Sequence, residues 1–253
     1  MNASRELVLE TCLLAGKIMM ESGSEVYRVE DTMNRIAFNA NEPNSISYVT
    51  ATGIFMGLRS SHSAQLENVS ERSINLEKVV AVNQLSRHFA EKRIDLETLY
   101  QSLKQIDREV PTFPTGLQIF CAGVLSCLLM YILGGAWADF LATFVIGSLG
   151  YTIKFYLGKM IDLRYFDNFL ASFFIGSAAL FAVHFHLAGN VDNIIIGAVM
   201  ALVPGVAITT SFRDILAGHL ISGIARGTEA LIVAAAIGVG IASALSFFGG
   251  SLL

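Results

Sequence analysis

Residues 201–230 read ALVPGVAITTSFRDILAGHLISGIARGTEA, an apolar stretch broken by Pro204-Gly205 and then studded with Thr209, Thr210, Arg213, Asp214, Arg226 and Glu229. The apolar run holding Pro204 begins near Asn193. The proline therefore lies roughly 15 Å along a helix that rises 1.5 Å per residue, close to the middle of a hydrocarbon core ~30 Å thick. Proline has no N–H and crowds the carbonyl four residues earlier, here Met200. Gly205 lets the backbone leave helical geometry at low steric cost. The freed carbonyl needs a neighbouring helix, water or a ligand. Two readings stand: a simple kink, or a broken helix of the kind that binds solutes at the midplane of secondary transporters. Thr209 and Thr210 either line a polar path or bond back to the carbonyls of Gly205 and Val206. Ser211–Gly227 carries the apolar stripe Phe212, Ile215, Leu216, Leu220 and Ile224, and reads as re-entrant, interfacial or a plain cytoplasmic loop. Arg226 and Glu229, three apart, share a helix face, either as a solvated inner rim or as a gate or site for a charged solute.

Around this stretch the composition is that of a membrane protein with a soluble segment attached. The 253 residues are 53% hydrophobic and 15% charged, against about a quarter charged in soluble domains. Residues 1–114 hold 27 charged side chains, residues 115–253 only 11. The second segment divides into apolar runs at 116–133, 137–157, 169–187, 193–210 and 228–248, each near the length a helix needs to cross a bilayer. Unpaired backbone is not tolerated in lipid, so these runs are expected to be helices. Lys154, Lys159 and Arg164 fall between runs two and three, and Arg213 and Arg226 between runs four and five; the connections near Gly134 and Gly189 have no Lys or Arg. The positive-inside rule then predicts a multi-pass protein of the plasma (inner) membrane, with five crossings, the N-terminus cytoplasmic and the C-terminus outside. The expected fold class is membrane α-helical, with a small cytoplasmic α+β domain over 1–114 and a five-span domain over 115–253.

Within residues 1–114 the pattern predicts helices over 7–20 and 25–39, a hairpin from 46–49 and 53–59, a third strand near 64–69, and helices over 75–91 and from Asp95 to about Asp107. The turn Ser22-Gly23-Ser24 sits in a charged corner with Glu21, Glu25, Arg28 and Glu30. That cluster reads as a local network fixing the corner, or as a surface that docks onto the inner mouth of the membrane domain. A net charge of −4 excludes a basic nucleic-acid binder. Cys12, Cys121 and Cys127 make neither a disulfide framework nor a metal site, and His184 and His186, two apart, are not a metal pair. No phosphate-binding glycine loop and no nucleophile with its base emerges. No cofactor and no enzyme activity is expected.

Ala230, Ala234, Gly238, Ala242 and Ser246 repeat every fourth position, a shallow ridge suited to close approach by another helix. Trp137 and Asp139 mark the outer start of run two, the tryptophan as an interfacial anchor.

Two segments together carry a resemblance. Gly16…Glu21-Ser-Gly23-Ser-Glu25…Arg28-Val29-Glu30 and Val203-Pro204-Gly205…Thr209…Arg213-Asp214…Gly218…Ser222-Gly223…Arg226…Glu229-Ala230 resemble the threonine/serine exporter family. The chain looks like the large subunit of that family's split form, whose smaller all-membrane partner supplies the remaining spans. The resemblance implies export of a small polar metabolite, driven by the ion gradient, with threonine and serine first and succinate second. It carries the broken-helix motif onto Pro204 and Gly205, and the polar residues after it onto Thr209, Arg213, Asp214, Arg226 and Glu229. Arg213 and Arg226 suit a dicarboxylate; Asp214 and Glu229 suit an amino group equally. From another class, a membrane-anchored sensor or assembly protein would keep its activity in the soluble domain.

Overall fold

The computed structural model describes residues 2–60, 63–70, 73–109, 113–160, 163 and 165–252. The chain forms two compact units, one of Met1–Thr112 with Val206–Thr228, the other of Phe113–Gly205 with Glu229–Leu253.

In the first unit, α1 (Asn2–Glu21) and α2 (Val26–Asn39) precede strands β1 (Ser45–Val49), β2 (Gly53–Leu58) and β3 (Ser63–Asn68), followed by α3 (Leu76–Ala90) and α4 (Leu96–Glu109). The strands form an antiparallel sheet in the order β1-β2-β3, with Tyr48 opposite Phe55 and Met56 opposite Gln65. Ile54, Met56 and Leu58 point to one face and are buried, while Tyr48, Phe55 and Leu66 are exposed, as the two-residue period of a strand requires. α1 packs against α2, α3, α4, β2 and β3. Its Ile18, Met19 and Met20 join Met33, Ile36, Leu99 and Leu103 in the core. The Asp95 carboxylate accepts the Thr98 N–H at 2.8 Å and starts α4.

The second unit holds α5 (Thr115–Ile132), a short 3-10 turn (Trp137–Asp139), α6 (Phe140–Met160), α7 (Phe166–His184) and α8 (Val191–Val199). α9 (Gly205–Leu216) and α10 (Leu220–Leu252) follow; α9 from Val206 and α10 up to Thr228 belong to the first unit, and α10 from Glu229 to the second. α8 packs against α5, α6 and α7, with Ile194 and Ala198 fully buried. A Cβ on Gly197 would meet the Ser126 carbonyl oxygen at 2.7 Å, so only glycine permits that approach of α8 to α5. Lys154 and Lys159 end α6; Arg164 lies outside the described residues.

Among the described residues four helices are long and apolar enough to cross a membrane: Thr115–Ile132, Trp137–Met160, Phe166–His184 and Leu220–Gly250. The expectation of five such helices is corrected at the fourth run. The predicted helix over 193–210 is instead α8, five non-helical residues Met200–Pro204, and α9. The cause is local: with no N–H at Pro204, and its ring set against the preceding turn, neither α8 nor α9 can continue through it. The fifth run is also longer than predicted, since α10 begins at Leu220 rather than Thr228. Ser211–Gly227 is therefore the end of α9, a tight turn and the start of α10.

Asp139 is 1% exposed and ties two turns together. Its Oδ1 accepts the N–H groups of Gly189 at 2.5 Å and Asn190 at 3.2 Å, which holds the α5–α6 and α7–α8 turns at one end of the unit. Asp139→Ala removes both bonds and is expected to cost about 1–3 kcal/mol, seen as a lower unfolding temperature in detergent.

Candidate functional site

Two glycine-capped corners in the first unit meet. At the first, Gly23 has φ +87°, the Gly23 N–H donates to the Met20 carbonyl at 3.2 Å, and the Ser24 N–H donates to the Met19 carbonyl at 3.0 Å. At the second, Gly218 has φ +92°, its N–H donates to Ile215 at 3.0 Å, and the His219 N–H donates to Asp214 at 2.8 Å. Both are Schellman endings, which need a left-handed residue that glycine adopts without strain. The first turns α1 into α2, the second turns α9 into α10.

Side chains interlock the corners. Asp214 on α9 is 0% exposed, and its Oδ1 accepts the Val26 N–H at 2.9 Å, one of the unpaired donors at the start of α2. Arg226 on α10 is buried; its Nη1 lies 3.5 Å from Asp214 Oδ2, and its Nη2 donates to the Ser24 carbonyl at 3.0 Å. Glu25 is held between two guanidinium groups, Arg213 Nη1 at 2.7 Å and Arg28 Nη1 at 3.3 Å. Glu30 accepts the Val49 N–H at 3.1 Å and lies 3.9 Å from His219 Nε2. Ser211 donates to the Gly223 carbonyl at 2.7 Å and closes the α9–α10 hairpin. A Cβ on Gly223 would meet the Ser211 carbonyl oxygen at 2.9 Å and the Ile215 nitrogen at 3.0 Å. Both are backbone atoms, so Gly223→Ala is expected to force the hairpin apart and lower the unfolding temperature, whereas Gly205→Ala, whose Cβ meets nothing within 4 Å, is not.

The two buried carboxylates respond oppositely to their surroundings. Burial pushes Asp214 above the usual carboxylate range, opposed in part by the Val26 N–H and the charges of Arg226 and His219. Burial also opposes ionisation of Glu25, but its own backbone N–H together with Arg213 and Arg28 outweighs it and holds the group below its ordinary value. Glu25 therefore adds stability above its unfolded pKa of about 4.3, and that stability is lost as pH falls through its folded value. Asp214 has the reverse sign: its raised folded pKa means stability falls as pH rises from its unfolded pKa of about 3.9 through the folded one. Asp214→Asn keeps an acceptor for Val26 and removes this slope. The stability of the variant relative to the parent chain is expected to grow with pH above about 4, measured by denaturant unfolding across pH.

The structure divides the predicted residues. Arg213, Asp214 and Arg226 come together with Glu25 and Arg28, and Gly23 shapes the corner. Glu21 contributes its backbone carbonyl, which accepts the Ser73 N–H at 2.8 Å. The Thr209 and Thr210 hydroxyls both donate to the Val206 carbonyl, at 3.0 and 2.8 Å. Pro204 and Glu229 lie in the second unit. Gly205 does not adopt a left-handed backbone; it opens α9. On α10, Ala230 is buried, but Ala234, Gly238, Ala242 and Ser246 are exposed. Close approach within the unit runs instead through Gly240 against the Phe169 carbonyl, and through Ala244 against Gly176. The pattern missed the Val26 N–H, the Ser24 carbonyl and His219. The glycine that precedes His219 was the available signal.

The charged corner and the α9–α10 hairpin both lie within a stretch that matches a known family. Residues 10–248 match the family model described as "Putative threonine/serine exporter". The chain belongs to that family. Among curated members of similar sequence, a "Probable threonine/serine exporter" of Mycobacterium tuberculosis (strain ATCC 25618 / H37Rv) is 21% identical over 92% of this chain, which spans 45% of that relative's length. A "Probable succinate transporter subunit YjjP" of Klebsiella aerogenes is 20% identical over 98% of this chain and 96% of its own length. No solved structure matches the chain at a significant level. The family and the apolar helices make this a multi-pass membrane protein of a transporter family.

Proposed function

We propose that this chain is the larger subunit of a secondary exporter that moves threonine and serine out across the plasma membrane, working with a smaller all-membrane partner. The observation that carries the reading is the interruption at Met200–Pro204. α8 has nine residues, about 13 Å of helix, so it stops near the middle of a ~30 Å core, where Pro204 offers no N–H to the Met200 carbonyl. By its length and apolar composition the run 193–210 is read as one crossing. That gives five crossings, with the N-terminus inside and the C-terminus outside. Pro204, Gly205, Thr209 and Thr210 then belong to the solute path, with Glu229 as a candidate contact for an ammonium group. Arg213, Asp214 and Arg226 serve as a latch that binds the Glu21–Glu30 corner to α9, whose N-terminus follows the break directly. The open ridge from Ala234 to Ser246 suits the partner's helix.

Succinate export is the second reading, favoured by the near full-length match to the succinate transporter subunit. Both arginines are already paired with Glu25 and Asp214, so a dicarboxylate would have to displace a protein carboxylate to reach either. Counterflow in liposomes carrying both subunits tests the choice: export of threonine is expected to exceed that of succinate. The opposite order selects succinate, and no transport of either, with both subunits correctly inserted, rejects the exporter. Full retention of function in Thr209→Val and Arg213→Gln would favour a sensor or assembly role.

A further inference from the structure

A cleft of about 320 Å³ opens on the first unit between α1, β3 and α4, lined by Glu10, Lys17, Gln65, Glu67, Tyr100 and Lys104. None of the residues assigned above to the solute path or the latch lines it. Two of its charges satisfy each other: Lys17 Nζ donates to Glu67 Oε1 at 2.6 Å. The other two do not. Tyr100 joins them, since its hydroxyl donates to Glu10 Oε2 at 2.8 Å while the Lys104 ammonium stands 4.2 Å above its ring. Among the described residues Lys104 has no carboxylate within ion-pair distance, and Glu10 uses one carboxylate oxygen on the phenol. The cleft thus presents a cation with no carboxylate partner among the described residues, stacked over the Tyr100 ring, and a half-used anion at the ring's hydroxyl, with Leu13 and Leu14 beside them.

We infer that this cleft is a binding site for a small zwitterion, which places its carboxylate against Lys104 and its ammonium against Glu10, alongside the hydroxyl edge of Tyr100. The charge pattern selects the class. With Lys17 and Glu67 taken up by each other, the charges left to a ligand are one cation, Lys104, and one anion, Glu10: a dicarboxylate would turn its second carboxylate toward Glu10 and a diamine its second ammonium toward Lys104, whereas a ligand bearing both signs complements both. Partial desolvation in the cleft strengthens the two contacts relative to a fully exposed surface, and the ring and leucines accept a short aliphatic part. The inference does not depend on the export reading, because it concerns binding at residues outside that path.

The test uses the full chain in lipid nanodiscs with 13C-labelled tyrosine rings, the Tyr100 signal being assigned with Tyr100→Phe. L-serine and 4-aminobutyrate are titrated beside succinate and 1,4-diaminobutane. A saturable shift of the Tyr100 signal is expected with the first two and not with the second two, weakened at least tenfold in Lys104→Met and in Glu10→Gln and kept in Lys104→Arg. Should Lys104→Met fail to fold, Glu10→Gln against Lys104→Arg decides. No saturable shift with either zwitterion, unchanged affinity in the charge-removing variants, or tighter binding of succinate or the diamine overturns the inference. Because the readout is a resonance and not transport, a failed exporter assay leaves this result standing, and the reverse.

Discussion

Arg226→Met is expected to destabilise the first unit by about 3–5 kcal/mol, the cost of leaving a buried carboxylate without its cation. Asp214 has no exposure to water, and its Oδ2 makes no hydrogen bond among the described residues, so Arg226 is its main compensation on that side. The same substitution strips the Ser24 carbonyl of its donor. The loss should depend on pH. Without Arg226 the Asp214 carboxyl is pushed up further, so it stays protonated to higher pH, and the penalty is smaller in acid than at pH 8. Arg226→Met/Asp214→Asn removes the orphaned charge and is expected to recover part of the stability, and the recovery should grow with pH. Denaturant unfolding of the single and double variants at two pH values measures this coupling. Equal losses at both pH values, or simple additivity, would show that the two side chains do not act as a pair.

This pair marks where sequence reasoning reaches its limit. Arg226 and Asp214 are twelve positions apart and come together because α9 ends on the left-handed Gly218 and α10 returns beside it, a tertiary consequence of one turn. Helical spacing relates Arg226 only to near neighbours such as Glu229, since i,i+3 and i,i+4 are the proximities a helical pattern reveals. The same limit explains the ridge. A stripe of small residues was plain at Ala230–Ser246, yet the chain's own packing uses Gly240 and Ala244 on another face of α10. Composition located α5, α6 and α7 within a few residues, because a run of apolar residues that cannot leave its backbone unpaired has little choice but to be a helix. The sheet and the four helices of the first unit were legible for a similar reason, since Gly23, Pro43 and Asp95 punctuate clear periodicities. Composition could not tell that Pro204 suspends the helix for a whole turn, nor that α10 starts before its polar residues end. Hydropathy averages over Arg226, whereas the folded chain gives it a buried partner.

Pro204→Ala is expected to abolish export while leaving the protein folded. Alanine is about 3 kcal/mol more favourable than proline in a helix interior. It restores an N–H that can bond to the Met200 carbonyl, and the neighbours Ala201, Leu202 and Val203 do not oppose a helix. α8 and α9 should then join into one rod, and the carbonyls freed by the interruption become internally paired, leaving the solute no main-chain acceptors. Amide hydrogen exchange across residues 200–205 should slow, the unfolding temperature should hold or rise, and threonine efflux from cells carrying both subunits should fall at least tenfold. Gly116→Ala serves as the control, because its Cβ meets open space, it lies outside the proposed path, and the break at Pro204 remains. Slow exchange with normal efflux would mean that the interruption is a kink accommodated by packing, and would remove it from the transport path. Lost efflux with unchanged exchange would point to the proline ring itself rather than to the backbone it frees.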